Sequence, residues 1–305
     1  MEGASVEWGR LPEGCIAEIL SLTTPADACR LSLVCSVFRS AADSDAVWER
    51  FLPADYLSIL SRSQPCSAPP AGPFSSKKDL YFHLCDFPIL IDEGTKAFSL
   101  EKCSGKKCYM IASKNLYIVW GDTPKHWRWV SLSQLSHRLS SLPHSRFSEV
   151  AELLDVCWLE IQGKVDTSML SPNTNYAAYL VFILTEPSYG FDRGPVEVFI
   201  EFAGRKTKAR SVYLDPSLAM GSRRQNVVEQ RRRRSGARST AGEAKRSYLQ
   251  VRGDGWQEVK LGEFYCDGGE GGQVEMSVVE VKEGHWKSGL IIQGVEIRPK
   301  EKRES

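Results

Sequence analysis

Hydrophobic residues in this chain recur every three to four positions up to about residue 105 and at every second position after it, so a helical segment must hand over to a β-rich one. In the first part, Ile16, Ile19, Leu20 and Leu22 follow Leu11-Pro12 at helical spacing and predict a short helix over 13–22. Thr24-Pro25-Ala26-Asp27 supplies a hydroxyl N-cap, a proline at the first helical position and an acid at the third, which together start a second helix. Its apolar residues Ala28, Leu31, Val34, Cys35 and Phe38 share one face. Val47, Trp48, Phe51 and Leu52 predict a third helix, stopped by Pro53.

In the second part, Cys157, Leu159 and Ile161 alternate with Trp158, Glu160 and Gln162. Residues 176–184 form a near-continuous apolar run, as in a strand covered on both faces. Over 195–202, Val196, Val198, Ile200 and Phe202 point inward and Glu197 and Glu201 outward, and Val274, Met276, Val278 and residues 290–297 continue the pattern. Turn residues such as Ser171-Pro172-Asn173 and Gly253-Asp254-Gly255 separate these runs. The predicted class is α+β multidomain: a three-helix N-terminal module over 1–52, then an antiparallel β-sandwich over 89–300. Between them, residues 53–88 read as a Pro/Ser-rich linker with a brief helix from Lys77 to Leu84, capped by Ser75 or Ser76 and bracing the second domain.

With 42% apolar and 25% charged residues the chain can bury a real core. It shows neither a basic start with an apolar run nor a long uncharged apolar window, so no leader and no membrane span are expected. Nine cysteines at irregular spacing fit a reducing compartment, cytoplasm or nucleus. Net charge is +1, yet residues 221–246 hold nine Arg/Lys against Glu229 and Glu243, a local +7 that leaves −6 for the rest. This stretch reads as a disordered basic insertion over 216–246, open to three readings: an electrostatic nucleic-acid contact, an import signal, or a solvated loop. No aromatic falls within 221–246 for base stacking, so nucleic acid is not expected as the partner.

The order LP, IL, LSLVCSVFR, VWERFL resembles the F-box family from Leu11 to Leu52. That resemblance implies a face and core engaging a Skp adaptor, formed by Leu11, Pro12, Ile19, Leu20, Val34, Cys35, Phe38 and Trp48, with Phe38 standing where the family often has Trp. Three helices in about fifty residues build little core of their own, which independently favours a module that leans on a partner. Farther along, KCYMIASKNLYIVWGDTPKHWRW, VCWLEIQGKV, DGWQEVKLGEFY and HWKSGLIIQGVEIRPK resemble the phloem protein 2 family, the Nictaba-like plant lectins, with a jelly-roll-like lectin domain.

The lectin resemblance implies binding of N-acetylglucosamine oligomers and N-glycan cores. Its sugar-contacting tryptophans match Trp120 and Trp127, with Trp129 beside them; Asp122 is close by, and Glu280 or Glu283 from a late strand is a further, weaker candidate. The chemistry is sensible, because a pyranose stacks its C–H face on an indole while carboxylates bind its hydroxyls. Trp120 and Trp127 flank Gly-Asp-Thr-Pro, a turn signal, whereas Trp158 and Trp256 read as core. Cys103 and Cys108 lack a second pair at zinc spacing, and the five histidines join no nucleophilic motif, so no metal, cofactor or catalysis is expected.

The expected function is a substrate receptor of a Skp–cullin ubiquitin ligase. The F-box would hold the adaptor and cullin scaffold, and the lectin-like domain a protein or glycoprotein target. The alternative is a nucleocytoplasmic lectin independent of ubiquitination.

Overall fold

The computed structural model describes residues 11–64, 74–135, 143–215, 249–269, 271–282 and 284–300. The basic insertion, Glu283 and most of the proline-rich stretch lie outside the described residues. The chain forms two compact units, one comprising Met1–Tyr109 with Leu170–Pro172, the other Met110–Met169 with Asn173–Ser305.

The first unit opens with α1 (Glu13–Ser21), whose Ile16, Ala17 and Leu20 are buried while Ile19 faces out. In α2 (Pro25–Leu31) the Thr24 hydroxyl accepts a hydrogen bond from the Asp27 amide at 3.2 Å, with Pro25 at the first helical position. Thr24→Ala should lower the unfolding free energy of this unit by about 1 kcal/mol in urea titration.

The second helix predicted from Thr24 is in fact two, α2 and α3 (Ser36–Asp43). Ser32 donates its hydroxyl back to Cys29 O at 2.7 Å, the Leu33 and Val34 amides close tight three-residue bonds to Arg30 O and Leu31 O, and Cys35 is fully extended. The break holds Leu33 (77% exposed) and Val34 (65%) out in solvent. These are local backbone choices that a three-to-four-residue period does not encode.

α4 (Asp45–Phe51), α5 (Tyr56–Ser61) and α6 (Lys77–Asp86) complete the helical core. Trp48 is fully buried, donates its indole N–H to Ala42 O at 2.6 Å, and packs against Phe51, Tyr81 and Phe82 at ring separations of 5.6, 5.1 and 5.2 Å. The Ser76 hydroxyl caps α6 by accepting from the Asp79 amide at 3.1 Å. Tyr81 and Phe82 of α6 enter the Trp48 cluster, and the Tyr81 hydroxyl donates to Glu101 O and Lys102 O, so this helix packs both on the F-box-like helices and on the chain that follows residue 89. A hairpin of β1 (Ile89–Ile91) and β2 (Lys96–Leu100) groups with the same unit.

The second unit is two antiparallel sheets. In the first, β15 (Ser288–Pro299) pairs with β8 (Thr174–Tyr189) along most of its length and with β6 (Val150–Leu153) near its start; β13 (Gln257–Cys266) continues from β8, β12 (Leu249–Val251) from β13, and β5 (Trp127–Val130), followed by the short α7 (Leu132–Leu135), from β6. β3 (Lys107–Ala112) lies next to β15. Gly294 makes that approach possible, since a Cβ there would lie 2.0 Å from Ile111 O. The second sheet orders β10 (Arg205–Lys206), β9 (Val196–Phe202), β14 (Gln273–Glu280), β7 (Leu159–Asp166) and β4 (Tyr117–Ile118), with β11 (Arg210–Val212) also on β9.

The sheets face each other through side chains such as Phe202 and Phe264, whose rings are 6.2 Å apart, and the close approach of Ile200 to Gly262. The apolar run over 176–183 is the buried centre of β8, as its composition foretold, and β9 alternates as read. Trp256 is core, its indole N–H bonded to His144 O at 2.9 Å. Nearby, Glu296 pairs with Arg146, Arg252 and Arg298, and Glu258 with the last two. Burial alone would raise the Glu296 carboxyl, but the three guanidinium groups hold it down at about 2. Among the described residues no helix is long and apolar enough to cross a membrane.

Candidate functional site

Among the described residues both units hold exposed apolar or aromatic side chains. On the helical unit, the residues expected to engage an adaptor divide by burial. Leu20, Phe38 and Trp48 are core, whereas Leu11, Pro12, Ile19, Val34 and Cys35 are exposed. Two exposed apolar side chains that were not among the residues expected to engage the adaptor join the second group, Leu22 after α1 and Leu33 in the α2–α3 turn. Leu22 was legible as helical spacing; Leu33 depended on the helix break.

On the sandwich, β4 ends in a tight turn. Trp120 sits in the left-handed region at φ 62, Gly121 N bonds to Ile118 O at 2.9 Å, and Thr123 N to Trp120 O at 2.9 Å. Two indoles hold this turn in place: Trp127 donates to Val119 O and Trp129 to Gly121 O, both at 3.1 Å. Trp127 is only 2% exposed, so in this conformation it has no open face for a sugar, and Trp129 is half-buried. The two tryptophans flanking the turn thus differ in kind: Trp127 is a strut under the loop, and Trp120, 52% exposed, is the face the loop presents.

Around Trp120 the loops are tied together. Its ring lies 5.9 Å from His126, whose Nδ1 donates to Asp155 O at 2.7 Å, and the Leu154 amide returns a bond to His126 O. Asp155 also accepts from the Tyr189 hydroxyl at 2.8 Å, and that hydrogen bond to a carboxylate raises the Tyr189 pKa. Asp122 is exposed at the turn. Glu280, expected to meet sugar directly, is buried and ion-paired with the equally buried Lys287. Trp158, read as core, is 51% exposed. Strand alternation puts it opposite Leu159 but cannot tell which side of an edge-proximal strand is covered.

A family model described as phloem protein 2 matches residues 106–299, the greater part of the chain. The chain belongs to the phloem protein 2 family. A second model, F-box-like, matches residues 8–53. Among curated relatives, this phloem protein 2 chain is 44% identical over 293 residues to F-box protein At2g02240 of Arabidopsis thaliana, covering 95% of this chain and 79% of that one. It is 40% identical over 301 residues to F-box protein PP2-B10 of the same plant, covering 98% and 96%. Among solved structures, a family 35 carbohydrate binding module from Clostridium thermocellum superposes with a TM-score of 0.30 at 9% identity, over 62% of this chain and 96% of the module. The phloem protein 2 match begins four residues before Met110, where the second compact unit starts, and the F-box-like match encloses α1 to α4.

Proposed function

We propose that this chain is the substrate-receptor subunit of a Skp–cullin ubiquitin ligase, acting in the cytoplasm and nucleus, with the helical unit docked on the Skp adaptor and the sandwich holding a glycoprotein or protein target. The observation that carries the reading is the set of exposed apolar side chains on the helical unit, Leu11, Ile19, Leu22, Leu33 and Val34. The receptor's contribution is proximity: it raises the effective concentration of a target lysine near the charged conjugating enzyme, and other subunits supply the chemistry. Co-purification of a Skp adaptor and cullin with the tagged chain from plant cells tests it, and a chain recovered without either overturns it.

Trp120, exposed on a braced turn with Asp122 beside it, supports the sandwich as the glycan-binding part. Trp120→Ala should weaken binding to chito-oligosaccharide at least tenfold by titration calorimetry, with no change in unfolding midpoint, because half of the ring is already in water. Trp127→Ala is not an equivalent test, since it removes a buried strut. A lectin acting apart from ubiquitination is the second reading; it predicts the same glycan binding in a chain that captures no adaptor.

A further inference from the structure

The three most exposed tryptophans among the described residues, Trp120, Trp158 and Trp286 at 52, 51 and 50%, lie just beyond the same end of the second sheet, where β4 and β14 end and β7 begins. They belong to three different loops, and hydrogen bonds link those loops in series. The Val119 amide, next to Trp120, bonds to Glu160 O at 3.0 Å, two residues past Trp158. The Val156 and Lys287 backbones bond reciprocally at 3.1 and 2.8 Å, joining the loop of Trp158 to that of Trp286. Gly190 comes so close to Trp286 that a Cβ there would lie 2.1 Å from Trp286 O, which sets Tyr189, 48% exposed, beside the same loop.

Beneath these rings is a buried clamp. The Lys287 ammonium donates to Cys157 O at 3.4 Å and to His285 O at 2.7 Å, the carbonyls immediately before Trp158 and Trp286, and it is neutralised by Glu280. Both charged side chains are almost wholly shielded from water, 3% and 5% exposed. A desolvated ammonium that satisfies one carbonyl from each loop fixes the two backbones relative to one another, so the indoles they carry are held out in solvent by a rigid base.

Large aromatic rings held half in water on a preorganised base are suited to stacking on ligands with an apolar face and polar edge. One pyranose ring has two faces and can satisfy at most two indoles. Three indoles on three loops, with the Tyr189 hydroxyl and Asp155 among them, therefore exceed what a single sugar residue can use.

We infer that Trp158 and Trp286 are carbohydrate-contacting residues that extend the Trp120 site to an oligosaccharide of two or more residues. This rests on the glycan reading of the sandwich proposed above. Trp120 binds one residue and the other two indoles bind those attached to it.

The test is titration calorimetry of the full chain and its Trp158→Ala, Trp286→Ala and Trp120→Ala variants with three probes: N-acetylglucosamine, chitotriose and the N-glycan core pentasaccharide. Wild type should bind an oligosaccharide more tightly than the monosaccharide. Trp158→Ala and Trp286→Ala should each weaken that oligosaccharide about three- to tenfold while leaving N-acetylglucosamine unchanged, and Trp120→Ala should weaken both. Unfolding midpoints should match wild type, the replaced rings being half exposed, and Trp158→Phe should retain most of the oligosaccharide affinity. Unchanged oligosaccharide binding in both outer variants, or no preference of wild type for oligosaccharide, overturns the extended site and leaves the Trp120 reading standing. Failure of wild type to bind all three probes overturns the glycan reading itself, and the extension with it.

Discussion

Aspartate at Ile19 and Val34 together lowers affinity for a Skp adaptor by a hundredfold or more and leaves the helical unit folded. Both side chains are exposed in the free chain, so neither contributes much to the native core. In a docked complex the two would be covered, and a carboxylate set into an apolar contact without a partner is costly to desolvate. A centrally placed apolar anchor typically contributes about 2 kcal/mol or more, so two such changes suffice for the predicted loss. Ile19 sits within α1, where aspartate forfeits a few tenths of a kcal/mol of helix propensity, and Val34 lies in a turn where even that cost is absent. Interferometry with immobilised adaptor measures the loss, and a matched urea titration shows the fold is retained. Wild-type affinity in the double variant would dismiss this face as the docking surface.

Trp48→Ala destabilises the helical unit by about 3–5 kcal/mol, the cost of emptying a fully buried aromatic position. It removes the ring against which Phe51, Tyr81 and Phe82 pack, and strips Ala42 O of its indole donor. A loss of that size is a large part of the stability of an ordinary domain, so limited proteolysis of the full chain should cut within residues 11–64 of the variant under conditions that spare wild type. Adaptor binding then fails because the face is no longer assembled. The two experiments separate what the F-box resemblance groups together: Ile19 and Val34 are surface, and Trp48 is the peg that holds the surface in shape.

That division shows where sequence reading reaches and where it stops. The change of period near residue 105 reflects side-chain geometry repeated over many residues, and the long strands from Lys107 onward follow it, while the short β1 and β2 already lie ahead of it. The turn over Gly121 to Pro124 was legible because glycine, aspartate and proline have restricted or permissive backbones, and it located the exposed Trp120. The break between α2 and α3 was not, since it depends on a single Ser32 hydroxyl returning to Cys29 O and on Cys35 being extended. For the tryptophans, composition and spacing specify an indole without stating what lies on its far side. Trp127 is capped by its own loop and Trp158 is left open, and only the tertiary arrangement distinguishes them. Glu280 illustrates the same point: its acidity was visible, its burial against Lys287 was not.

The place of β15 has a consequence for how the protein is made. This strand lies between partners synthesised far earlier, Ile291 opposite both Glu152 and Ile183, so β6 and β8 must wait with open edges until residues 288–299 leave the ribosome. Contacts of such sequence separation close slowly, and during the wait the apolar centre of β8 is the segment most in need of a chaperone. Helices α1 to α4, whose neighbours are local in sequence, have no such delay. On a nascent chain the N-terminal helices are therefore finished while the sheet is still incomplete, and, on the receptor reading proposed above, the order of synthesis runs from attachment to selectivity.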